Sequence, residues 1–173
     1  MTPAALLLIP VLTCCAAAAE LPNLLANGDF ENGAAGWPQP AGATIEAEGA
    51  NHFLRLKSAA PGQTVNVYRQ VPVAGMATLQ LTFRTRHSDV KRGAQPWFDA
   101  RVILDFKDET GKIVKGAPGH PFFTGSSDGW KDKSLRFEVP STATTFSLMP
   151  ALFQPESGTL DIDDIVLTDV SAR

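Results

Sequence analysis

Apolar and polar side chains alternate with period two in short runs along most of the chain, and Gly, Pro, Asn, Asp and Ser separate the runs. Such alternation marks half-buried strands, because successive side chains of an extended backbone point to opposite faces. No stretch sustains a 3.6-residue period over a useful length. The pattern predicts strands at 23–31, 43–48, 52–58, 64–73, 77–87, 97–108, 112–116, 133–140, 144–153 and 159–170. About ten strands with regular turn signals predict an all-β fold, a jelly-roll β-sandwich of antiparallel strands. DETGK (108–112) predicts a hairpin in which Gly111 supplies positive φ. Two longer segments, 88–96 and 116–129, read as loops, and loops of that length tend to carry function.

The same alternation assigns faces. In WFDARVILDF (97–106), Phe98, Ala100, Val102, Leu104 and Phe106 turn to the core, which sends Trp97, Asp99, Arg101, Ile103 and Asp105 outward. Leu79, Leu81 and Phe83 turn inward and set Arg84 and Arg86 outside; Val65 and Val67 do the same for Asn66 and Tyr68, and Leu148 and Leu152 for Met149. If these strands share a sheet, its outer face displays Tyr68, Arg84, Arg86, Trp97, Asp99, Arg101 and Met149. A face that mixes aromatic rings with planar hydrogen-bonding groups suits a sugar, whose C–H face stacks on Trp or Tyr while its hydroxyls meet Asp and Arg. Two arginines would also accept an acidic sugar. The plainer alternative is a cross-strand ion-pair ladder, worth roughly 0.2 to 1 kcal/mol per pair.

Composition narrows the choice. The 173 residues suffice for one domain, and a net charge of −3 with a pI near 5.6 provides no basic patch for nucleic acid. Residues 1–19 are apolar, uncharged and end in small residues, as a secretory signal does, leaving 20–173 as the β-sandwich. This predicts a secreted, periplasmic or extracellular chain; lipid anchoring at Cys14 or Cys15 is the weaker reading. Both cysteines fall in that leader, and no later segment is a candidate transmembrane span. Catalytic arrangements are poor. Asp99 and Asp105 lie about 20 Å apart on an extended strand, whereas glycosidase carboxylates sit about 5 to 9.5 Å apart. His87, Ser88 and Asp89 are adjacent and so do not converge as a triad. A small glycoside hydrolase or lyase is therefore the least favoured class.

NLLANGDFENGAAGW (23–37) and GTLDIDDIVLTDV (158–170) resemble the opening and closing motifs of the cellulose-, xylan- and laminarin-binding group of carbohydrate-binding modules. NHFLRL (51–56) and GWKDKSLRFEVP (129–140) are similar to internal strands of the same group. The resemblance implies a galactose-binding-like jelly roll that binds a polysaccharide or oligosaccharide without cleaving it, standing alone where relatives adjoin glycoside hydrolases that act on the same substrate. It also implies a structural calcium held by Glu31, Asn51 and Asp163 or Asp164, with carbonyls of 49–51. Calcium takes six to eight oxygens, and carboxylates with loop carbonyls can provide them. By family position Trp37 and Trp130 are structural, and Trp97 is the ring expected on the ligand. Phe122 and Phe123 either rim that site or tether their loop. The competing class is a structural or adhesive sandwich that contacts a protein or cell surface.

Overall fold

The computed structural model describes residues 21–171, so the expected leader, with Cys14 and Cys15, lies outside the described residues. Two antiparallel sheets face each other. The first is built from β1 (Ala43–Glu48), β2 (Asn51–Lys57), β5 (Thr78–Lys91), β9 (Lys131–Glu138) and β11 (Ser157–Asp169), in the order β1-β2-β11-β5-β9. The second contains β3 (Val65–Asn66), β4 (Arg69–Pro72), β6 (Ala100–Lys107), β7 (Ile113–Val114), β8 (Phe122–Phe123) and β10 (Thr145–Leu152). Its path is β3-β10-β6-β7, with β4 also on β10 and β8 on β6. No helix occurs among the described residues, and none is long and apolar enough to cross a membrane.

Alternation translates directly into burial. Leu54, Leu56, Leu79, Leu81, Leu160 and Ile162 of the first sheet meet Val102, Leu104, Phe106, Phe146 and Leu152 of the second, all fully buried. Phe106, Phe137 and Phe146 form an aromatic cluster with ring centroids 5.2 to 6.0 Å apart. Burying a side chain of this kind contributes about 1.5 to 3 kcal/mol relative to leaving it exposed. In β11 the register with β5 slips between Asp163 and Val166, where Asp164 adopts φ 50°. This bulge re-phases the strand, so Ile162 and Ile165 both point inward although they are three residues apart.

Three strand expectations change. Residues 23–31 form turns: Asn27 and Phe30 adopt positive φ, and the Asn27 side chain donates to the carbonyls of Gly33 and Ala35 and accepts from Asn32 N. The run 64–73 divides into β3 and β4, because Pro150 of β10 accepts from Val67 N but has no N–H to return. β6 starts three residues later than expected. Phe98 N donates to Gln95 O and Gly93 N to Phe98 O, folding Trp97–Asp99 into a loop. The expected DETGK hairpin is present, with Gly111 at φ 82°.

Candidate functional site

The outer face of the second sheet is laid out in rows by its register. Phe122 stands opposite Arg101, Arg101 opposite Ala151, and Ala151 opposite Asn66. The next row pairs Ile103 with Met149, and the third aligns Asp105, Ser147 and Gln70. Lys107, Thr145 and Pro72 make the fourth. Alternate residues advance roughly 6.6 Å along a strand, so four rows extend about 20 Å. Trp97, at 53% exposure, flanks the Arg101 end from the loop before β6; its ring stands edge-on to Phe98 at 6.1 Å.

Two polar clusters shape this face. At one end Asp99 is 1% exposed, and its Oδ1 accepts from Arg101 Nε (2.7 Å) and Nη2 (2.6 Å), while Arg92 Nε lies 3.8 Å from Oδ2. The Arg92 guanidinium also sits 5.8 Å from the Phe122 ring centroid. Asp99 thus lies on the Arg101 side of the strand, as alternation expects, but buried beneath that face and not open to a ligand. It holds two arginines in place from beneath, and Arg101 is itself mostly covered. At the other end Lys107 Nζ donates to Tyr68 Oη at 2.6 Å, and that oxygen lies 3.0 Å from Ser147 Oγ. Burial pushes the Tyr68 phenol up, but hydrogen bonds from Lys107 and Ser147 and the lysine charge outweigh it and leave the phenol below the usual tyrosine range.

Arg84 and Arg86 are elsewhere. They project from β5 on the outer face of the first sheet, because β5 pairs with β11 and β9, not with β6. There Arg55 grips Asp161 through Nε (2.7 Å) and Nη2 (2.8 Å), and Arg86 joins the same carboxylate at 3.0 Å while reaching Glu48 at 3.0 Å. Arg84 Nη2 donates to Asp163 Oδ2 (2.6 Å) and Asn51 Oδ1 (2.7 Å), and its Nε lies 3.0 Å from Asp164. Trp130 receives Arg84 and Arg86 at 4.9 and 4.7 Å and meets Phe53 edge-on at 5.3 Å. Trp130 therefore caps this outer face instead of entering the core. Trp37 does pack structurally, 5.0 Å from Phe30, with Nε1 donating to Asn27 O.

The residues assigned to calcium do not fit a cation as they stand. Asn51 and Asp163 come together, but the Arg84 guanidinium occupies the space their oxygens face. Glu31 turns away to His52, accepting from its backbone N at 2.7 Å and meeting Nδ1 at 2.9 Å. That hydrogen bonding holds Glu31 below the usual carboxylate range. Among the described residues no three His, Cys, Asp or Glu side chains gather as a metal-binding group.

Arg92 and Lys107 were not singled out by alternation. Arg92 lies where residues 88–96 read as loop, yet β5 runs on to Lys91 and delivers it beside Asp99. The Phe122–Phe123 pair resolves cleanly: as β8 it buries Phe123 and leaves Phe122 at 59% exposure on the face.

No protein-family model and no curated protein matches the chain. Solved structures do. A family 16 carbohydrate-binding module superposes with a TM-score of 0.59 at 23% identity, covering 84% of this chain and 99% of the module. The xylan-binding domain CBM22-1 of Paenibacillus barcinonensis Xyn10C gives 0.56 at 14% identity, covering 91% and 100%. The enzymatically active domain of bacteriophage CBA120 tailspike protein 4 gives 0.64 at 13%, where the match covers 84% of this chain and 21% of the phage chain. These likenesses establish the fold: a jelly-roll β-sandwich of the kind found in carbohydrate-binding modules.

Proposed function

We propose that this chain is a non-catalytic carbohydrate-binding module whose ligand, a polysaccharide or oligosaccharide, lies on the outer face of the second sheet. One observation carries the reading. The large aromatic side chains exposed among the described residues, Tyr68, Trp97 and Phe122, all border that one face. Aromatic rings left in water at both ends of a sheet, with Arg92, Asp105, Lys107 and Gln70 between and beside them, supply stacking surfaces and hydroxyl partners together. Structural neighbours with this fold include a family 61 module solved with β-1,4-galactotriose, which superposes with a TM-score of 0.56 at 13% identity, covering 86% of this chain and 99% of that one.

In this reading the face binds without cleaving, since Asp99 is buried on its arginines and is not free to act on a ligand. Asp105 then has no carboxylate partner on its own strand. The leader expected at 1–19 would export the module to where polysaccharides and the hydrolases that act on them are met. Retention on xylan, β-1,4-galactan, laminarin and non-crystalline cellulose, compared between the protein and Trp97→Ala, tests it. Retention on one glycan class that falls about tenfold or more in the folded variant supports the site. No retention on any glycan leaves the face as a protein contact.

A further inference from the structure

At the Trp97 end of the face the sandwich does not simply stop. Three connections meet there: 58–64 between β2 and β3, 92–99 between β5 and β6, and 153–156 between β10 and β11. Between them lies an open pocket of about 630 Å³, lined by Pro61, Arg92, Phe98, Gln154 and Glu156 among others. Pockets of roughly 300 to 1,000 Å³ are the size that small ligands occupy.

Its walls are tied together through the main chain. Gly62 N donates to Pro155 O (2.9 Å), Glu156 N to Lys91 O (2.9 Å) and Gly93 N to Phe98 O (2.8 Å). At Gly93 a Cβ would fall 2.1 Å from Gln154 O, so the two loops touch backbone to backbone. Gln154 completes the corner at φ 48°. The pocket is therefore built before any ligand arrives, which spares the ordering cost that a mobile loop would impose on binding.

Its chemistry continues that of the face. Phe98 lines the pocket and contacts Trp97 edge-on at 6.1 Å and Phe153 at 5.6 Å, so the aromatic surface turns the corner from the sheet into the pocket. Arg92 belongs to both regions: it lines the pocket, and it reaches Asp99 and Phe122 on the sheet side. Arg92 and Gln154 offer donors, and Glu156 and Gln154 offer acceptors. The formal charges of Arg92 and Arg101 are balanced by Asp99 and Glu156. This corner consequently suits a neutral group rich in hydroxyls and gives an anionic sugar no net attraction.

We infer that this pocket takes the terminal unit of an uncharged glycan chain, with the following units laid past Trp97 onto the sheet. This inference rests on the carbohydrate-binding reading above and adds a direction to it: the module recognises chain ends.

The test takes whichever of xylan, β-1,4-galactan, laminarin or non-crystalline cellulose retains the protein, with polygalacturonate as the anionic probe. Binding capacity is measured before and after partial depolymerisation, which multiplies chain ends at constant mass. Capacity that rises with the number of ends, together with a tenfold or greater loss of affinity in Glu156→Gln and Arg92→Met, supports the inference. Glu156 is exposed, so its variant keeps the fold, and unfolding curves verify both proteins. Capacity that follows mass alone, with both variants binding like the parent and Trp97→Ala weakened, overturns the pocket while the carbohydrate-binding reading stands. Preference for polygalacturonate overturns the assignment to neutral chains. No retention on any probe overturns both readings together.

Discussion

On the outer face of the first sheet Glu48, Asp161, Asp163 and Asp164 each meet an arginine, whereas on the second sheet aromatic rings stand in water. Arg55, Arg84 and Arg86 are distributed over Glu48, Asp161, Asp163 and Asp164, and Phe53 and Trp130 fill the gaps between guanidinium planes. Phe53 is 2% exposed although it points away from the main core. The first face is a second small core, held by ion pairs and cation–π contacts in place of aliphatic packing. The second face has the same residue types but opens its rings: Tyr68, Trp97 and Phe122 are 37%, 53% and 59% exposed. An arginine on a sheet face is therefore no indicator of a binding site until its partners are known.

The contrast breaks most visibly at Asp161. Its carboxylate is 4% exposed and accepts from two arginines whose side chains are 27% and 32% exposed. Removing one partner of a buried pair costs about 3 to 5 kcal/mol, and partial exposure of the arginines places Asp161→Ala at the lower end, about 3 kcal/mol. Urea unfolding measures this, and glycan retention by the folded fraction is expected to be unchanged. Loss of retention with little loss of stability would mean that the wrong face has been chosen. Asp163→Asn comes next, at about 2 kcal/mol, since Arg84 keeps Asn51 and Asp164. Its neighbour behaves differently. Burial and the Asp163 charge push the Asp164 carboxyl up against the pull of Arg84, so Asp164→Asn is expected to change unfolding stability by less than about 0.5 kcal/mol. Equal losses at the two positions would dissolve the distinction between buried and peripheral pairs.

How far such a difference can be read from sequence depends on which interactions set it. Alternation is local, and it correctly turned Leu79, Leu81 and Phe83 of β5 and Val102, Leu104 and Phe106 of β6 to the core. Sheet membership is set by pairing between distant residues, and nothing in the local pattern shows that β5 lies beside β11 while β6 lies beside β10. Arg84 and Arg86 were accordingly grouped with Trp97, across the whole thickness of the sandwich. Tyr68 meets Ser147 and Lys107 of the second sheet from the break between β3 and β4, and Trp97 lies in the loop that leads into β6. Asp99 does share a side with Arg101, but alternation does not register that neighbouring arginines cover its carboxylate. The strand at 23–31 failed for a related reason: Asn27 satisfies the backbone of its own loop, an alternative to a ladder that apolar spacing does not register.

A subtler difference is readable at Tyr68, which is the only tyrosine in the chain. Its phenolate absorbance can therefore be titrated without interference. With the folded value below the usual one, ionisation is expected to begin below pH 10, the ordinary tyrosine midpoint. The sign of the linkage follows: the phenol is protonated in both states at neutral pH and contributes nothing there, and stability is gained only as alkaline pH ionises the folded form first. Lys107→Met removes the donor and its charge but leaves the burial, so the midpoint is expected to rise. An unchanged midpoint would show that Lys107 does not sit on the phenol in solution.

The smallest effect expected is none at all. Chelation with EDTA and addition of calcium should leave the thermal midpoint of unfolding unchanged, because Arg84 already supplies positive charge to Asp163 and Asn51. A ligand that binds only the folded state stabilises it by RT ln(1 + [L]/Kd), about 2.7 kcal/mol at one hundred times Kd. A resident calcium would therefore announce itself as a rise of several degrees. Such a rise would require Arg84 to swing off its acids and would loosen its hold on Trp130, exposing an aromatic ring on the first face as well. The comparison between a closed face and an open one would then be a property of the metal-free protein, and glycan retention measured with and without calcium would show which face the ligand prefers.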